Sequence, residues 1–338
     1  MSWSAGGQPA FLINGHLNSV TDLPISLVVP IRNEEESIEN LIESIIRQTR
    51  QPDEIVLVDG GSTDSTVQTA ERLLAKNAKI KLIRTDGATP GKGRNIGIEA
   101  ARNEWIALTD AGIVLETDWL ENLAKAADRA DIVYGNYSPL IRNLFEKCAL
   151  ISYAPPRQQD KIRGRSVASM LLLRSVSEKV GGFPDLRAAE DLMFMERAEA
   201  AGFRVATAPK AMVHWQLRPD VASTFRKFAL YSKHNVWAGR QWDWHYGVAK
   251  QYLLLLPFIV LAIFHSWWWL LAIPLWLFAR TAKRILAHKY EFGMATLFDP
   301  RVFFGVAGLI LVIDAATFIG WGQALMSKRP AVSSERSE

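Results

Sequence analysis

Short, mostly apolar runs alternate with helix-spaced segments through the first 135 residues of the chain. Each run is bounded by turn residues and is too short for a helix, so it predicts a buried strand. The runs lie at 25–30, 54–59, 80–84, 105–110 and 131–135. Strand and helix in alternation predict an α/β domain with a parallel sheet covered by helices on both faces.

The segments between these runs carry apolar residues three or four positions apart, which is helical spacing. The predicted helices are 34–47, 64–76, one that follows a Gly/Pro-rich loop at 85–93 and ends near Arg102, and 118–129. After Tyr134 the alternation breaks, and 140–159 is predicted as a helix or loop insertion. Further predicted elements are a strand at 169–174, a helix at 190–201 and a terminal strand at 203–207.

The last third of the chain is rich in Trp, Phe and Leu. Residues 219–251 mix aromatic with basic side chains, which predicts helices at a membrane interface; a soluble amphipathic linker is the alternative. The stretches 252–279 and 302–325 are apolar enough and long enough to cross a bilayer. The resulting division is a leader at 1–24, a soluble domain at 25–218, interfacial helices at 219–251, membrane segments within 252–325 and a flexible tail at 326–338.

The topology of the membrane segments stays open at this point. If 252–279 crosses once, the basic loop 280–301 emerges opposite the soluble domain, against the positive-inside tendency if that domain is cytoplasmic. A hairpin that doubles back at His265–Ser266 removes the conflict and is slightly favoured. Asp314, the only charge in 302–325, is either a functional intramembrane acid or a residue that faces protein.

Charge and cysteine content exclude several classes of protein. The net charge of +4 is too small to indicate nucleic-acid binding, and no arginine–aromatic pattern of an RNA-binding protein is present. The single cysteine, Cys148, excludes an internal disulfide framework and a cysteine-based zinc site. The N-terminus shows no pattern of a signal peptide.

Acidic residues end two predicted strands and open one predicted helix. Asp59 ends the second strand, Asp110 the fourth, and Glu190–Asp191 follows a Gly/Pro turn. Ligands of doubly wound sheets bind at the carboxyl ends of the strands, so we expect these carboxylates at one edge. There a carboxylate can accept from a nucleotide, bind a divalent cation, or deprotonate a hydroxyl.

The segment 91–95, Gly-Lys-Gly-Arg-Asn, combines two glycines and two cations with a predicted helix start. Such a combination can bind phosphate, although by itself it is more often only a turn.

Taken together, the motifs of residues 25–218 resemble those of a family 2 glycosyltransferase with the GT-A fold. The matching segments are VVPIRNEE at 28–35, Gln48, VDGGSTDST at 58–66, GKGRNIG at 91–97, TDAG at 109–112 and EDLMFMERAEAAGFR at 190–204. They follow the order of the family and cover nearly all of the predicted soluble domain.

The resemblance implies a role for each matching residue. Pro30, Arg32 and Glu34 would line a nucleotide pocket, and Asp59 would accept from the base, most often uracil. Lys92 and Arg94 would approach the diphosphate, and Asp110 would stand at the metal and ribose motif. Asp191 would be the general base, supported by Glu190. His214 would lie near a metal, although a polar surface histidine is an equal alternative.

Two departures from the family pattern concern the ribose and the metal. Gly112 stands where the second aspartate of Asp-x-Asp is usual, so binding of Mn²⁺ or Mg²⁺ would depend on Asp110, His214, water and phosphate oxygens. Gly60 replaces a frequent aspartate after Asp59. The Gln-x-x-Arg-Trp signature of processive synthases is not matched.

The resemblance implies a membrane-anchored, inverting enzyme with a cytoplasmic catalytic domain. It would move a sugar from a nucleotide-diphosphate sugar, UDP-type favoured, to a hydroxyl of a lipid-linked or membrane-proximal glycan acceptor. A nucleotidyltransferase is disfavoured because no glycine-rich loop follows the first strand. A catalytically silent scaffold that binds nucleotide sugar is favoured by Gly112 and disfavoured by the Glu190–Asp191 pair.

Overall fold

The computed structural model describes residues 23–74, 79–158 and 161–327. Most of the predicted leader 1–24 and of the predicted tail 326–338 therefore lies outside the described residues.

Within the described part of the chain, eight strands form one mixed sheet. The strands are β1 (Ile25–Ile31), β2 (Glu54–Asp59), β3 (Ile80–Arg84), β4 (Trp105–Leu108), β5 (Ile113–Leu115), β6 (Ile132–Leu140), β7 (Met170–Leu173) and β8 (Val205–Gln216). Their order across the sheet is β3-β2-β1-β4-β7-β6-β8-β5. This arrangement confirms the predicted α/β class and places the ends of β1, β2 and β4 side by side.

The prediction of a parallel sheet is correct for only part of it. β3, β2, β1 and β4 are mutually parallel. β7, however, runs antiparallel to both β4 and β6, and β5 runs antiparallel to β8. Antiparallel neighbours need no crossover helix, so the strict strand–helix alternation ends where this half of the sheet begins.

Seven helices accompany the sheet in the described residues: α1 (Ile38–Ile46), α2 (Thr66–Leu74), α3 (Pro90–Ala100), α4 (Trp119–Lys125), α5 (Leu144–Tyr153), α6 (Arg174–Val180) and α7 (Glu190–Ala200). Successive residues of β1 face two separate cores. Leu27 and Val29 pack in the core that contains α1, whereas Val28 packs with Ile98 of α3 and Phe194 of α7. Both faces of the sheet are therefore covered, as the continuous apolar runs predict.

The C-terminal third is helical: α8 (Val221–Trp237), α9 (Gln241–Leu253), α10 (Leu256–Phe264), α11 (Ala272–Ala287), α12 (Lys289–Phe292) and α13 (Pro300–Met326). Among the described residues, Gln241–Phe264 and Pro300–Met326 are long and apolar enough to cross a membrane. The first candidate span, which comprises α9 and α10, begins before the predicted membrane segment 252–279. That predicted segment is not one helix, because α10 ends at Phe264, at the predicted His265–Ser266 break.

The C-terminal helices pack closely against the sheet domain. α13 crosses α8 at Gly320, where a Cβ atom would lie 2.2 Å from the Ala229 carbonyl oxygen. Ser232 Oγ of α8 donates to the Thr317 carbonyl at 2.6 Å. Arg163, beyond α5, is paired with Glu291 of α12 at 2.5 Å. α8 thus connects the sheet domain to the candidate span α13.

The environment of Asp314 decides between its two predicted alternatives. Its carboxylate pairs with Arg280 Nη1 at 2.6 Å and accepts from the Tyr252 hydroxyl at 2.8 Å. The residue is 3% exposed. Asp314 therefore faces protein and links α9, α11 and α13.

Candidate active site

Helix α3 begins earlier than predicted, inside the segment interpreted as a Gly/Pro-rich loop. Thr89 is its N-cap and accepts from the Lys92 amide at 3.3 Å, and Pro90 occupies the first turn. Proline is well tolerated there because the first amides of a helix have no intrahelical partner. Gly91 and Gly93 consequently lie within the first turns of the helix and not in the loop before it.

Two glycines of α3 let it pack closely on its neighbours. A Cβ atom on Gly97 would lie 2.3 Å from Val28 Cγ1 of β1, and one on Gly91 would lie 2.3 Å from the Pro184 carbonyl oxygen. Such distances exclude any larger side chain without movement of the backbone. The spacing of glycines therefore holds α3 against the sheet and against the segment that precedes α7.

This packing buries Arg94 among three carboxylates. Arg94 Nη2 is 2.6 Å from Asp110 Oδ1, and Nη1 is 2.8 Å from Asp191 Oδ1 and 3.2 Å from Glu190 Oε1. The arginine side chain is 2% exposed, Glu190 is 7% exposed, and Asp110 and Asp191 are about one-third exposed. The Arg94 guanidinium thus joins the end of β4 to the start of α7, and both aspartates stay partly exposed to solvent.

The charges of this cluster shift its ionisation. Burial raises the pKa of Glu190 to about 8, and repulsion by Asp191 adds to the rise despite the attraction of Arg94. Burial also raises the pKa of Asp191, which Arg94 opposes and Asp110 reinforces. Burial alone would lower the pKa of Arg94, but the three carboxylates raise it above its usual range. Glu190 is therefore mostly protonated at neutral pH, and Arg94 stays charged.

The backbone before α7 is strained where it presents these two acids. Ala189, the N-cap of α7, has a φ of +70°, a conformation that costs a non-glycine residue free energy. No side-chain cap is present at this helix start. Glu190 and Asp191 occupy its first turn, where carboxylates are favoured by the helix dipole.

The loops after β1 and β2 are joined by side-chain hydrogen bonds. Asn33 donates its amide to Ser62 Oγ at 2.9 Å, and its Oδ1 accepts from the Thr63 amide at 2.8 Å. Glu34 donates its amide to Thr66 Oγ1 at 2.7 Å. These bonds fix one wall of a cavity above the strand ends.

Asp59, which the resemblance places at the base, is buried and engaged by the loop that follows β2. Its carboxylate accepts from the amides of Gly61 and Ser62 at 3.2 Å and from Ser62 Oγ at 2.5 Å, and the residue is 4% exposed. Gly60 lines the cavity instead, and a Cβ atom there would lie 2.7 Å from the Ala88 carbonyl oxygen. Asp59 therefore holds the β2 loop, and its contact to a base stays a prediction.

A cavity of about 530 Å³ lies above the Arg94 cluster. Of the residues implicated by the sequence, its walls contain Pro30, Arg32, Glu34, Arg94, Asp110, Glu190 and Asp191. Lys92 is exposed on α3 outside these walls. His214 is also outside them, and its Nε2 lies 2.6 Å from Glu116 Oε1. The structure therefore brings together the two predicted catalytic acids and most of the predicted nucleotide site.

Four further lining residues carry no motif in the sequence and were not predicted. Arg187 precedes α7, Arg218 follows β8, and Leu230 and Tyr231 lie on α8. Burial raises the pKa of Tyr231 to about 12, and the charge of Glu190 adds to the rise. No signal in the sequence marked Arg218, because the predicted terminal strand ended at 207, whereas β8 extends to Gln216.

The predicted metal site is not formed by the side chains of this structure. Among the described residues, no three His, Cys, Asp or Glu side chains form a group that could hold a metal ion. Asp110 is engaged by Arg94, and His214 by Glu116. Gly112 has no side chain and a φ of +76°, which disfavours an aspartate at this turn. These residues do not fit the cation that the resemblance implies.

A second, larger cavity of about 850 Å³ lies away from this cluster, between the β6–β8 region and α12. Its charged walls are mostly exposed lysine and arginine side chains such as Lys125 and Lys210, and the Arg94 cluster is not among them. The volume of a cavity does not by itself indicate an active site. The smaller cavity, where the pKa values of Glu190 and Asp191 are raised, is therefore the candidate active site.

Comparisons with known proteins agree with the motifs and the fold. Residues 26–147 match the model of the family described as glycosyl transferase family 2. EpsH of Bacillus subtilis is 28% identical over 208 residues, which are 57% of this chain and 60% of that protein. The glycosyltransferase GlyG of Streptococcus pneumoniae is 31% identical over 116 residues, 33% of this chain and 38% of that protein. The chain thus spans less than two-thirds of the length of these relatives.

A solved structure extends the likeness beyond the matched residues. The mannosyltransferase PcManGT from Pyrobaculum calidifontis, in complex with GDP-Man and Mn²⁺, has a TM-score of 0.55 and 18% sequence identity. The alignment covers 88% of each chain. At this identity the likeness concerns the fold, which is the GT-A type.

Proposed function

We propose that this chain, which belongs to the family 2 glycosyltransferases of the GT-A type, transfers a sugar from a nucleotide-diphosphate sugar to a hydroxyl group with inversion at the anomeric carbon. One observation supports this above the others. Asp110 and Asp191, 81 positions apart in sequence, meet on one buried guanidinium at the floor of a cavity formed by strand ends.

Asp191 is the proposed general base. It is one-third exposed on the cavity side, whereas Glu190 is buried and mostly protonated at neutral pH. Asp191 would remove the proton of the acceptor hydroxyl as that oxygen attacks the anomeric carbon, and the bond to the diphosphate would break on the opposite face. Arg94 would hold Asp191 in place. Its positive charge would also favour the ionised carboxylate that a general base requires, against the effect of burial.

The donor would lie across the ends of β1, β2 and β4. The joined loops after β1 and β2 would hold the nucleoside, and the N-terminus of α3, near Thr89 and Pro90, would lie close to the phosphates. A UDP-sugar is favoured by the resemblance, while the PcManGT structure contains GDP-Man. Both donors therefore belong in a first assay.

The acceptor is proposed to be lipid-linked or close to a membrane. Leu230 and Tyr231 of α8 line the cavity, and α8 packs against the candidate span α13. This continuity would bring a membrane-bound hydroxyl within reach of Asp191. The pairing of Arg163 with Glu291 supports a hairpin topology, because it sets the basic segment 280–301 beside the catalytic domain. With that domain cytoplasmic, the topology would follow the positive-inside tendency.

The test is a transfer assay on the full chain in detergent or nanodiscs. Labelled UDP- and GDP-sugars are offered with membrane lipid extract as acceptor, in EDTA and with added Mg²⁺ or Mn²⁺. The proposal predicts release of a nucleoside diphosphate that depends on Asp191. A silent scaffold would instead bind a nucleotide sugar without turnover under any of these conditions, and the enzymatic proposal would then be wrong.

A further inference from the structure

Three arginines line the candidate active site without a carboxylate partner. Arg32 follows β1, Arg187 precedes α7 and Arg218 follows β8, and all three contribute to the walls of the same cavity. In the described part of the chain none of their side chains forms a hydrogen bond or a direct ion pair, although the charge of Arg218 opposes the rise that burial causes in the pKa of Glu34. This contrasts with Arg94 below them, which contacts three carboxylates.

The convergence of these cations carries an electrostatic cost. Partial burial of the guanidinium against the cavity wall lowers the pKa of Arg187, and the charge of Arg32 lowers it further, which means that the two guanidinium groups repel each other. Like charges brought together from different segments are stabilised when an anion binds between them. Guanidinium groups present paired donors that match phosphate oxygens.

Glu34, Asp110, Glu190 and Asp191 line the same cavity, but among the described residues no three His, Cys, Asp or Glu side chains form a group that could hold a metal ion. Gly112 occupies the second acidic position, and Asp110 already pairs with Arg94 at 2.6 Å. The described walls of the cavity therefore offer three unpaired guanidinium groups to an anion but no cluster of carboxylates to a metal ion. A leaving nucleoside diphosphate carries about three negative charges, which fixed cations can stabilise as they develop.

We propose that Arg32, Arg187 and Arg218 bind the diphosphate of the donor and neutralise it in place of a divalent cation. The inference rests on the proposed function and extends it to the chemistry that stabilises the leaving group. It makes the enzyme independent of added metal.

The first test compares nucleoside diphosphates with nucleosides by calorimetry on the full chain in EDTA. UDP and GDP are the probes, and uridine and guanosine are their controls. We expect one diphosphate to bind at least about tenfold more tightly than its nucleoside, since charge-assisted hydrogen bonds to phosphate are strong. Added Mn²⁺ or Mg²⁺ should change the affinity by less than about threefold.

Single Arg→Gln variants at positions 32, 187 and 218 provide the second test. Each should weaken diphosphate binding by roughly tenfold and leave nucleoside binding unchanged. Arg142→Gln is the matched control, because Arg142 is exposed and lies outside the cavity. Melting curves check that every variant is folded, which is expected for exposed side chains.

The outcomes separate this inference from the proposed function. Diphosphate binding or transfer that requires Mn²⁺ or Mg²⁺ would overturn the inference and leave the glycosyltransferase proposal standing. Unchanged diphosphate affinity in all three variants would also overturn it. Failure of every nucleotide to bind, with or without metal, would contradict the proposed function itself.

Discussion

Two buried arginine–carboxylate clusters in this molecule differ in their balance of charge. The cluster with excess negative charge lies at the candidate active site, whereas the balanced one joins helices. In the sheet domain, Arg94 contacts three carboxylates and faces a cavity. In the C-terminal helices, Arg280 pairs with Asp314 alone, and Tyr252 supplies the remaining hydrogen bond.

The balanced pair is an architectural contact. Its charges cancel, its carboxylate is 5% exposed, and it joins three helices. The Arg94 cluster keeps an excess of negative charge next to solvent, which raises the pKa of Glu190 and of Asp191. A buried ion pair indicates a functional site where it leaves a nearby titratable group with its charge unneutralised and open to a ligand.

The largest expected effect follows from removing the centre of the first cluster. Arg94→Met leaves three carboxylates facing one another, and breaking a buried charge pair of this kind costs about 3–5 kcal/mol. We expect a lower melting temperature and no detectable transfer. Glu39 pairs with Arg72 at the surface, so Arg72→Met is the control and should cost less than about 1 kcal/mol. An Arg94→Met protein as stable as the wild type would contradict the assigned cluster.

The balanced pair should respond to a single change but tolerate a double one. Arg280→Met leaves Asp314 with only Tyr252, at an expected cost of roughly 3 kcal/mol. Replacing both members, Arg280→Met with Asp314→Leu, should recover most of that loss because no unpaired charge remains. Denaturation and transfer are measured for both proteins, and transfer per folded molecule should stay within about twofold of the wild type. A large loss of transfer in the stable double variant would show that the pair acts in the reaction.

The pH dependence of stability gives a smaller but more specific effect. The folded-state pKa of Glu190 is about 8, above its ordinary value of 4.5. Between these values the folded chain holds a proton that the unfolded chain has released, so its contribution to stability is full below the lower value and is lost as pH rises towards the upper one. Glu190→Gln removes this titration.

Thermal unfolding of the wild type and of Glu190→Gln, measured from pH 5 to pH 9, tests this assignment. The difference in stability should shift in favour of the glutamine variant as pH rises, and should level off above about pH 8. A difference that does not vary with pH would mean that Glu190 is ionised throughout and that its environment differs from the one described.

The sequence predicts the elements that local patterns encode. β2 and β3 are predicted with their observed bounds, and β1 and α7 within one residue of them. β5 was not predicted, because Ile113–Leu115 is too short to form a pattern. The orientation of β7 was not predicted either, since an apolar run does not specify the direction of the strand.

The sequence predicts those site residues that lie in a recognisable local motif. Asp110, Glu190 and Asp191 were identified at element ends, and the structure places them together. Their common partner is less evident, because Arg94 lies inside a helix whose glycines suggest a loop. Arg187 and Arg218 reach the site only through tertiary packing, which a motif in one segment does not encode.

The most direct test of the account is the transfer rate of Asp191→Asn together with its affinity for UDP and GDP. The substitution keeps the size of the side chain and a hydrogen-bond acceptor for Arg94, but removes the base. We expect nucleotide affinity to stay within about threefold and transfer to fall by roughly 10²–10⁴-fold. Transfer at the wild-type rate in this variant would contradict the assignment of Asp191 as the base and, with it, the proposed mechanism.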